Sequence, residues 1–87
     1  MAKQTMKLVY FVDTTDNHKD EVCVFNPKDY PKKEDLATAI NKNISEMGFL
    51  DEYEDMEGIN EIGRRLAYTN MAEYKEYEFG IEEVDVI

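Results

Sequence analysis

The mostly apolar run over 6–13 predicts the first β-strand of the chain. The segment is rich in β-branched and aromatic side chains, which favour extended backbone. One face of the strand carries Leu8 and Tyr10, and the other carries Val9 and Phe11. Because both faces are apolar, we expect this strand to lie in the middle of a sheet.

Polar residues over 14–20 separate this strand from a second one. Asn, Asp and Thr are abundant there, as is typical of turns. Residues 21–26 then read as a short strand that ends at Asn26 and Pro27. The two strands are predicted to form a β-hairpin whose loop is longer than the commonest two-residue turns.

A helix is predicted from apolar residues that recur three or four positions apart. They are Leu36, Ile40, Ile44 and Met47. Pro31 fits the first turn of this helix, and Gly48 fits the position just after its end. We expect the helix to bury its apolar stripe against the sheet, with Leu8 or Tyr10 opposite.

A second helix is predicted over about 55–68. Its apolar positions have helical spacing and are Ile59, Ile62 and Leu66. We expect Asn70 to end it.

A strand is predicted over 73–86, with one irregularity. Its apolar residues are odd-numbered up to Ile81 and even-numbered from Val84. Since the side chains of a strand alternate between its two faces, we expect a β-bulge near Glu82–Glu83 or a break at Gly80.

These elements predict an α+β fold of one domain over 1–87. Their order is β-β-α-α-β, and we expect a three-stranded antiparallel sheet with strand 1 in the middle and the helices on one face. No apolar run approaches the length of a transmembrane helix, and residues 1–5 lack the layout of a signal peptide. We therefore expect a cytoplasmic protein.

The charge of the chain is strongly negative and unevenly distributed. There are 20 acidic and 10 basic residues, a net charge of −10, and residues 50–87 hold twelve of the acids and three of the bases. Binding to phosphate groups depends on Lys and Arg, so direct contact with nucleic acid or with anionic membranes is disfavoured. The expected partner is a basic protein.

No catalytic residue, cofactor motif or metal site is predicted. His18 falls in a polar loop, and Cys23 falls between two valines of a strand, which favours a buried thiol over a reactive one. A single cysteine excludes an internal disulfide. The carboxylate-rich segment 51–58 fails the EF-hand pattern, because Tyr53 and Met56 occupy positions that need an oxygen ligand and a glycine. Weak, non-specific binding of divalent ions stays open.

The acidic segment that begins at Asp51 is the predicted partner-binding surface. It contains no base as far as Glu61, so ion pairs within a helix cannot neutralise its carboxylates. Tyrosines lie among the acids, and tyrosine is enriched at protein interfaces. The predicted partner-binding residues are Asp51, Glu52, Tyr53, Glu54, Asp55, Glu57, Glu61 and Tyr68. The alternative is a solvated helix face that keeps the protein soluble.

In size, charge and order of elements the chain resembles the small acidic inhibitor proteins that bacteriophages encode, among them anti-CRISPR and other anti-defence proteins. The resemblance rests on the run from Asp51 to Glu61 and on later acids, which are Glu73, Glu76, Glu78, Glu82, Glu83 and Asp85. It spans the whole chain, includes no diagnostic motif and assigns no residue roles. It implies a protein that places carboxylates where the phosphates of a nucleic acid would lie, in the cytoplasm of a bacterial host.

Three functions follow from the sequence. The first is an inhibitor that occupies, by charge mimicry, the basic surface of a nucleic-acid-binding protein or nuclease complex. The second is a small regulatory or oligomerising subunit that binds through an apolar or sheet-edge surface without such mimicry. The third, a small enzyme or metal binder, has the least support.

Overall fold

The computed structural model describes residues 4–48, 50 and 56–86. Within them the chain forms a β-hairpin, two helices and a second β-hairpin. The elements are β1 (Gln4–Asp13), β2 (His18–Phe25), α1 (Lys33–Met47), α2 (Met56–Thr69), β3 (Met71–Tyr74) and β4 (Tyr77–Val86), with a 3₁₀ turn over Pro27–Asp29 between β2 and α1.

The described strands form one antiparallel sheet in the order β2-β1-β4-β3. The predicted α+β class is confirmed, and so is the central position of the first strand, since β1 lies between β2 and β4. The predicted three-stranded sheet is wrong, because the last predicted strand is a hairpin. The described order is therefore β-β-α-α-β-β rather than β-β-α-α-β.

A two-residue turn at Lys75 and Glu76 divides the last predicted strand into β3 and β4. Lys75 has a φ of 55°, a conformation that glycine and asparagine adopt more easily than lysine. The turn therefore lacks the glycine or asparagine that usually marks a two-residue hairpin turn in a sequence. It is held against the first hairpin by Thr14, whose N–H and Oγ1 donate to the Glu76 carbonyl at 2.9 and 2.7 Å.

β4 pairs with β1 over ten residues without a shift in register. The predicted bulge near Glu82–Glu83 and the predicted break at Gly80 are therefore wrong. Because the alternation is uninterrupted, the odd-numbered apolar residues up to Ile81 share the face turned to the helices, and Val84 lies on the other face.

The irregularity of the sheet lies in β2 instead. Val22 is inserted between Glu21 and Cys23, whose partners on β1 are consecutive residues. The extra residue turns both Val22 and Cys23 toward the core, where they pack as partly buried side chains. It also places Glu21 and Val24 together on the opposite face of the sheet.

The first hairpin has the longer loop that the sequence predicts, over residues 14–17. The Asp13 carboxylate accepts hydrogen bonds from the N–H and Oγ1 of Thr15 at 3.0 and 2.6 Å, and Asp16 accepts one from the N–H of His18 at 2.9 Å. These side-chain bonds stabilise a tight loop. β2 begins at His18, so the loop is shorter than the predicted 14–20.

The core lies between the helices and one face of the sheet, which presents Val9, Phe11 and Phe79. The helices contribute fully buried side chains, namely Ile40, Ile44, Ile62 and Leu66. Each such side chain stabilises the fold by roughly 1.5–3 kcal/mol on burial. The expectation that Leu8 or Tyr10 faces α1 is wrong, because both lie on the other face of β1.

The end of α1 agrees with the sequence-based prediction, whereas its start differs from it. Gly48 has a φ of 76° and follows the last helical residue, as predicted. Pro31 precedes the helix by two residues rather than lying in its first turn. The predicted stripe is buried at Ile40 and Ile44, whereas its last member, Met47, is 41% exposed.

The second predicted helix is confirmed as α2, and Asn70 ends it. The φ of Asn70 is 65°, and its N–H donates to the Leu66 carbonyl at 3.0 Å. Gly63 lets α2 approach α1, because a Cβ at this position would lie 2.5 Å from the Ala37 carbonyl oxygen of α1.

Candidate functional site on the open face of the sheet

Three of the predicted partner-binding residues are described, and all three belong to α2. Glu57 is exposed in the first turn, Glu61 is half-buried one turn later, and Tyr68 is exposed near the end. The other five lie outside the described residues and are Asp51, Glu52, Tyr53, Glu54 and Asp55. Most of the predicted acidic surface therefore stays a prediction.

Glu61 and Tyr68 line one shallow groove, which also contains basic residues. The Glu61 carboxylate accepts a hydrogen bond from Arg64 Nη1 at 3.0 Å, so this last acid of the run has a basic partner on its own helix. Lys33 Nζ lies 5.4 Å from the centroid of the Tyr68 ring. The surroundings of Tyr68 are mixed in charge rather than uniformly acidic.

The face of the sheet that the described helices leave uncovered is called here the open face. The strand register places its apolar residues mainly on β1 and its carboxylates on the other strands. It consists of Met6, Leu8, Tyr10, Val12, Lys19, Glu21, Val24, Met71, Glu73, Glu78, Gly80, Glu82 and Val84. Two of its apolar side chains are well exposed, Val24 at 50% and Met71 at 70%.

Tyr10 lies over Gly80 at the centre of the open face. A Cβ at Gly80 would lie 2.6 Å from the Tyr10 Oη, so the ring occupies the space that a side chain would fill. Lys19 Nζ lies 4.3 Å from the centroid of the Tyr10 ring and also bonds Glu82 Oε1 at 3.1 Å. A glycine beneath the ring and a cation above it thus fix the position of Tyr10.

A groove borders the open face where β3 forms the edge of the sheet. Its lining includes Tyr10, Met71, Glu73, Glu78 and, on the helix side, Arg65. Glu73 and Glu78 are exposed and directly opposite each other on β3 and β4. Like charges in this arrangement repel each other, and no described base forms an ion pair with either one.

Ion pairs across the sheet compensate part of the C-terminal negative charge. Lys7 Nζ lies 3.1 Å from Glu83 Oε1, and Lys19 Nζ lies 3.1 Å from Glu82 Oε1. These lysines come from the nearly neutral half of the chain. Exposed pairs of this kind contribute about 0–1 kcal/mol each, but they distinguish the paired carboxylates from the unpaired ones at the groove.

The described residues contain no group of three or more side chains that could hold a metal ion. His18 is exposed, with its Nε2 3.3 Å from Asp20 Oδ1. Cys23 is partly buried, and this burial raises the pKa of its thiol. A raised pKa disfavours the reactive thiolate, which agrees with an inert cysteine.

The open face is therefore the candidate site, with an apolar centre and carboxylates around it. Sequence reasoning noted Glu73 and Glu78 as acids but did not place them beside Met71, since that placement depends on the missed hairpin.

None of the described helices is long and apolar enough to cross a membrane. No protein-family model matches the chain, and no curated protein or solved structure is significantly similar to it.

Proposed function

We propose that the protein is an acidic protein–protein interaction module that inhibits its partner by occupying a basic, nucleic-acid-binding surface. The observation that carries the proposal is a surplus of exposed carboxylates without a described basic partner. Glu57, Glu73 and Glu78 are exposed and take part in none of the ion pairs of the described residues. With a net charge of −10, the complementary partner is a basic protein.

The carboxylates can take the place of nucleic-acid phosphates on such a partner. A protein that holds nucleic acid presents Lys and Arg to the phosphates, and most of its non-specific affinity comes from these contacts. Carboxylates held on strands can bind the same cations in fixed positions. Because the cations cannot serve both ligands, binding of this protein excludes the nucleic acid. The partner is then a nucleic-acid-binding protein or nuclease complex in the cytoplasm of a bacterial host.

A second function keeps the interaction but not the mimicry. Val24 and Met71 are exposed apolar side chains on the open face, and apolar groups in the centre of an interface give affinity that depends little on salt. In this case the protein is a small regulatory or oligomerising subunit that binds through the open face or a sheet edge.

Affinity capture at two salt concentrations, followed by a competition assay, separates these functions. The tagged protein is used to capture partners from a lysate at low and at high NaCl, and each partner is identified by mass spectrometry. Mimicry predicts a basic partner that is lost at high salt, because exposed charges are screened over about 8–10 Å at physiological ionic strength. It also predicts that purified protein displaces nucleic acid from that partner. Capture that is independent of salt and displaces no nucleic acid would favour the second function.

Paired charge reversals locate the acids that matter. Glu54→Lys with Asp55→Lys changes the predicted acidic surface, and Glu34→Lys with Asp35→Lys makes the same change in charge at the exposed start of α1. If the acidic segment binds the partner, the first variant associates more slowly and the second much less so. Equal losses would show that only net charge matters. Circular dichroism confirms that both variants fold.

A further inference from the structure

The open face of the sheet and the groove at its β3 edge point to a second, more specific surface. We infer that this face docks the partner, with an arginine side chain of the partner between Glu73 and Glu78 and its aliphatic stem against Met71. The inference rests on the proposed function, because it takes the partner to be a basic protein, but it assigns the contact to the sheet rather than to the segment 51–61.

The open face has exposed apolar side chains on both of its edge strands. Leu8 at its centre is buried and Tyr10 is partly buried, whereas Val24 on β2 is 50% exposed and Met71 on β3 is 70% exposed. A large apolar side chain left in water contributes little to folding, whereas at an interface it is removed from water on binding. Carboxylates lie around this centre and select a partner of positive charge.

Two carboxylates at the groove are in an unfavourable position. Glu73 and Glu78 are directly opposite each other across β3 and β4, in a groove whose described basic residue is Arg65. Cross-strand carboxylates destabilise the sheet, so the arrangement weakens the free protein. A cation placed between the two side chains removes the repulsion and gains two charge-assisted hydrogen bonds.

Arginine fits this position better than lysine. A guanidinium is planar, presents five donors in a fixed fork and can donate to two carboxylates at once, whereas an ammonium acts as a compact point charge. Tyr10 lies at the same groove, but its ring already has Gly80 beneath it and Lys19 above it. The preference for arginine therefore rests on the two carboxylates, which a forked guanidinium can bind together.

Arg65 provides an internal check on this electrostatic argument. It is exposed, lies on the helix side of the groove and forms none of the ion pairs of the described residues. Its positive charge opposes the entry of a second cation. Arg65→Ala should therefore strengthen the binding of an arginine ligand, in contrast to the usual loss that follows when a side chain is removed from a binding groove.

The test is a titration of ¹⁵N-labelled protein with nona-arginine and with nona-lysine peptides, followed by NMR at low salt. We expect amide shifts concentrated at 71–73 and 78–80, and tighter binding of nona-arginine. Glu73→Gln with Glu78→Gln should weaken nona-arginine binding roughly tenfold. The matched control, Glu54→Gln with Asp55→Gln, makes the same change in charge within the segment 51–61 and should weaken it by less than about twofold, because the inference assigns the contact to Glu73 and Glu78.

Three other outcomes overturn the inference and differ in what they say of the proposed function. Shifts confined to 56–61, with binding sensitive only to the control pair, would move the contact to α2 and leave an acidic module intact. Equal binding of both peptides and equal loss in both variants would show attraction by net charge alone. Absence of binding to either peptide would remove the basis for a basic partner, and with it the proposed function.

Discussion

Asn41 of α1 binds the backbone of α2 at Gly63. Its Oδ1 accepts a hydrogen bond from the Gly63 N–H at 2.8 Å, and its Nδ2 donates to the Asn60 carbonyl at 2.8 Å. Both ends of the amide are thus satisfied by main-chain groups of the neighbouring helix. The contact requires glycine, because a Cβ at Gly63 would overlap Asn41 Oδ1 and the Ala37 carbonyl.

We predict that Asn41→Ala lowers the free energy of unfolding by about 1–3 kcal/mol, because it removes two hydrogen bonds between the helices. The matched control is Asn43→Ala. Among the described residues, Asn43 Nδ2 bonds only the Ala39 carbonyl of its own helix, so its loss should cost much less. Urea denaturation of both variants measures the difference, and equal losses would show that Asn41 does not join the helices.

Gly63→Ala should destabilise the protein although alanine is the better helix former. The change in helix propensity favours alanine by about 1 kcal/mol, but the added methyl meets the backbone of Ala37, which cannot move aside as a side chain could. Overpacking of this kind costs typically about 1–3 kcal/mol. A thermal melt that rises for this variant would mean that α1 and α2 are further apart than described.

Ile40→Ala should lower the free energy of unfolding by about 2–5 kcal/mol, because it leaves a cavity in the core. Ile40 is 1% exposed on the helix side that packs against the sheet. Met47→Ala is the control from the same stripe, since Met47 is 41% exposed and its truncation opens no cavity. Comparable losses in chemical denaturation would contradict the observed facing of α1.

Glu78→Gln should stabilise the protein by about 0.2–1 kcal/mol at low salt, because it removes the repulsion from Glu73 across the β3–β4 pair. The gain should shrink as NaCl screens the charges. Glu83→Gln in the same strand is the control. It removes the ion pair with Lys7 and should not stabilise the protein. A Glu78→Gln variant without any gain would indicate that another cation already neutralises the groove.

The pKa of Asp13 lies below its ordinary value, because the Thr15 side chain and then the Thr15 N–H donate hydrogen bonds to its carboxylate. A depressed pKa in the folded state contributes stability above the pKa of the unfolded chain, and this contribution is lost as the pH falls through the folded value. Thr15→Ala removes the larger cause, so the Asp13 pKa should rise toward normal in an NMR titration.

Thr14→Ala is the control for this titration, since Thr14 donates to the Glu76 carbonyl rather than to Asp13. It should leave the Asp13 pKa unchanged. If Thr15→Ala has no more effect than Thr14→Ala, the hydrogen bonds of the loop do not set the acidity of Asp13.

The sequence by itself determined the helices. The spacing of Ile40 and Ile44 in α1, and of Ile62 and Leu66 in α2, is a local property of the chain, and so is the suitability of Gly48 to follow a helix. The hairpin at Lys75 was missed because a lysine there adopts a left-handed conformation without the glycine or asparagine that normally marks such a turn.

Only the tertiary structure decided which face of the sheet the helices cover. Val9 and Phe11 alternate with Leu8 and Tyr10, so the two faces of β1 are equally apolar in the sequence, and the buried face is chosen by packing against α1 and α2. The bulge in β2 serves the same packing, since it lets both Val22 and Cys23 contact the core.

The candidate site was likewise decided by contacts between distant parts of the chain. Lys7 and Glu83 are 76 residues apart, and Lys19 and Glu82 are 63 apart. These pairs determine which carboxylates are compensated, and no local pattern reveals them. Composition alone established the negative charge of the protein. The register of the sheet established which of the described carboxylates have a basic partner, because it brings distant residues side by side.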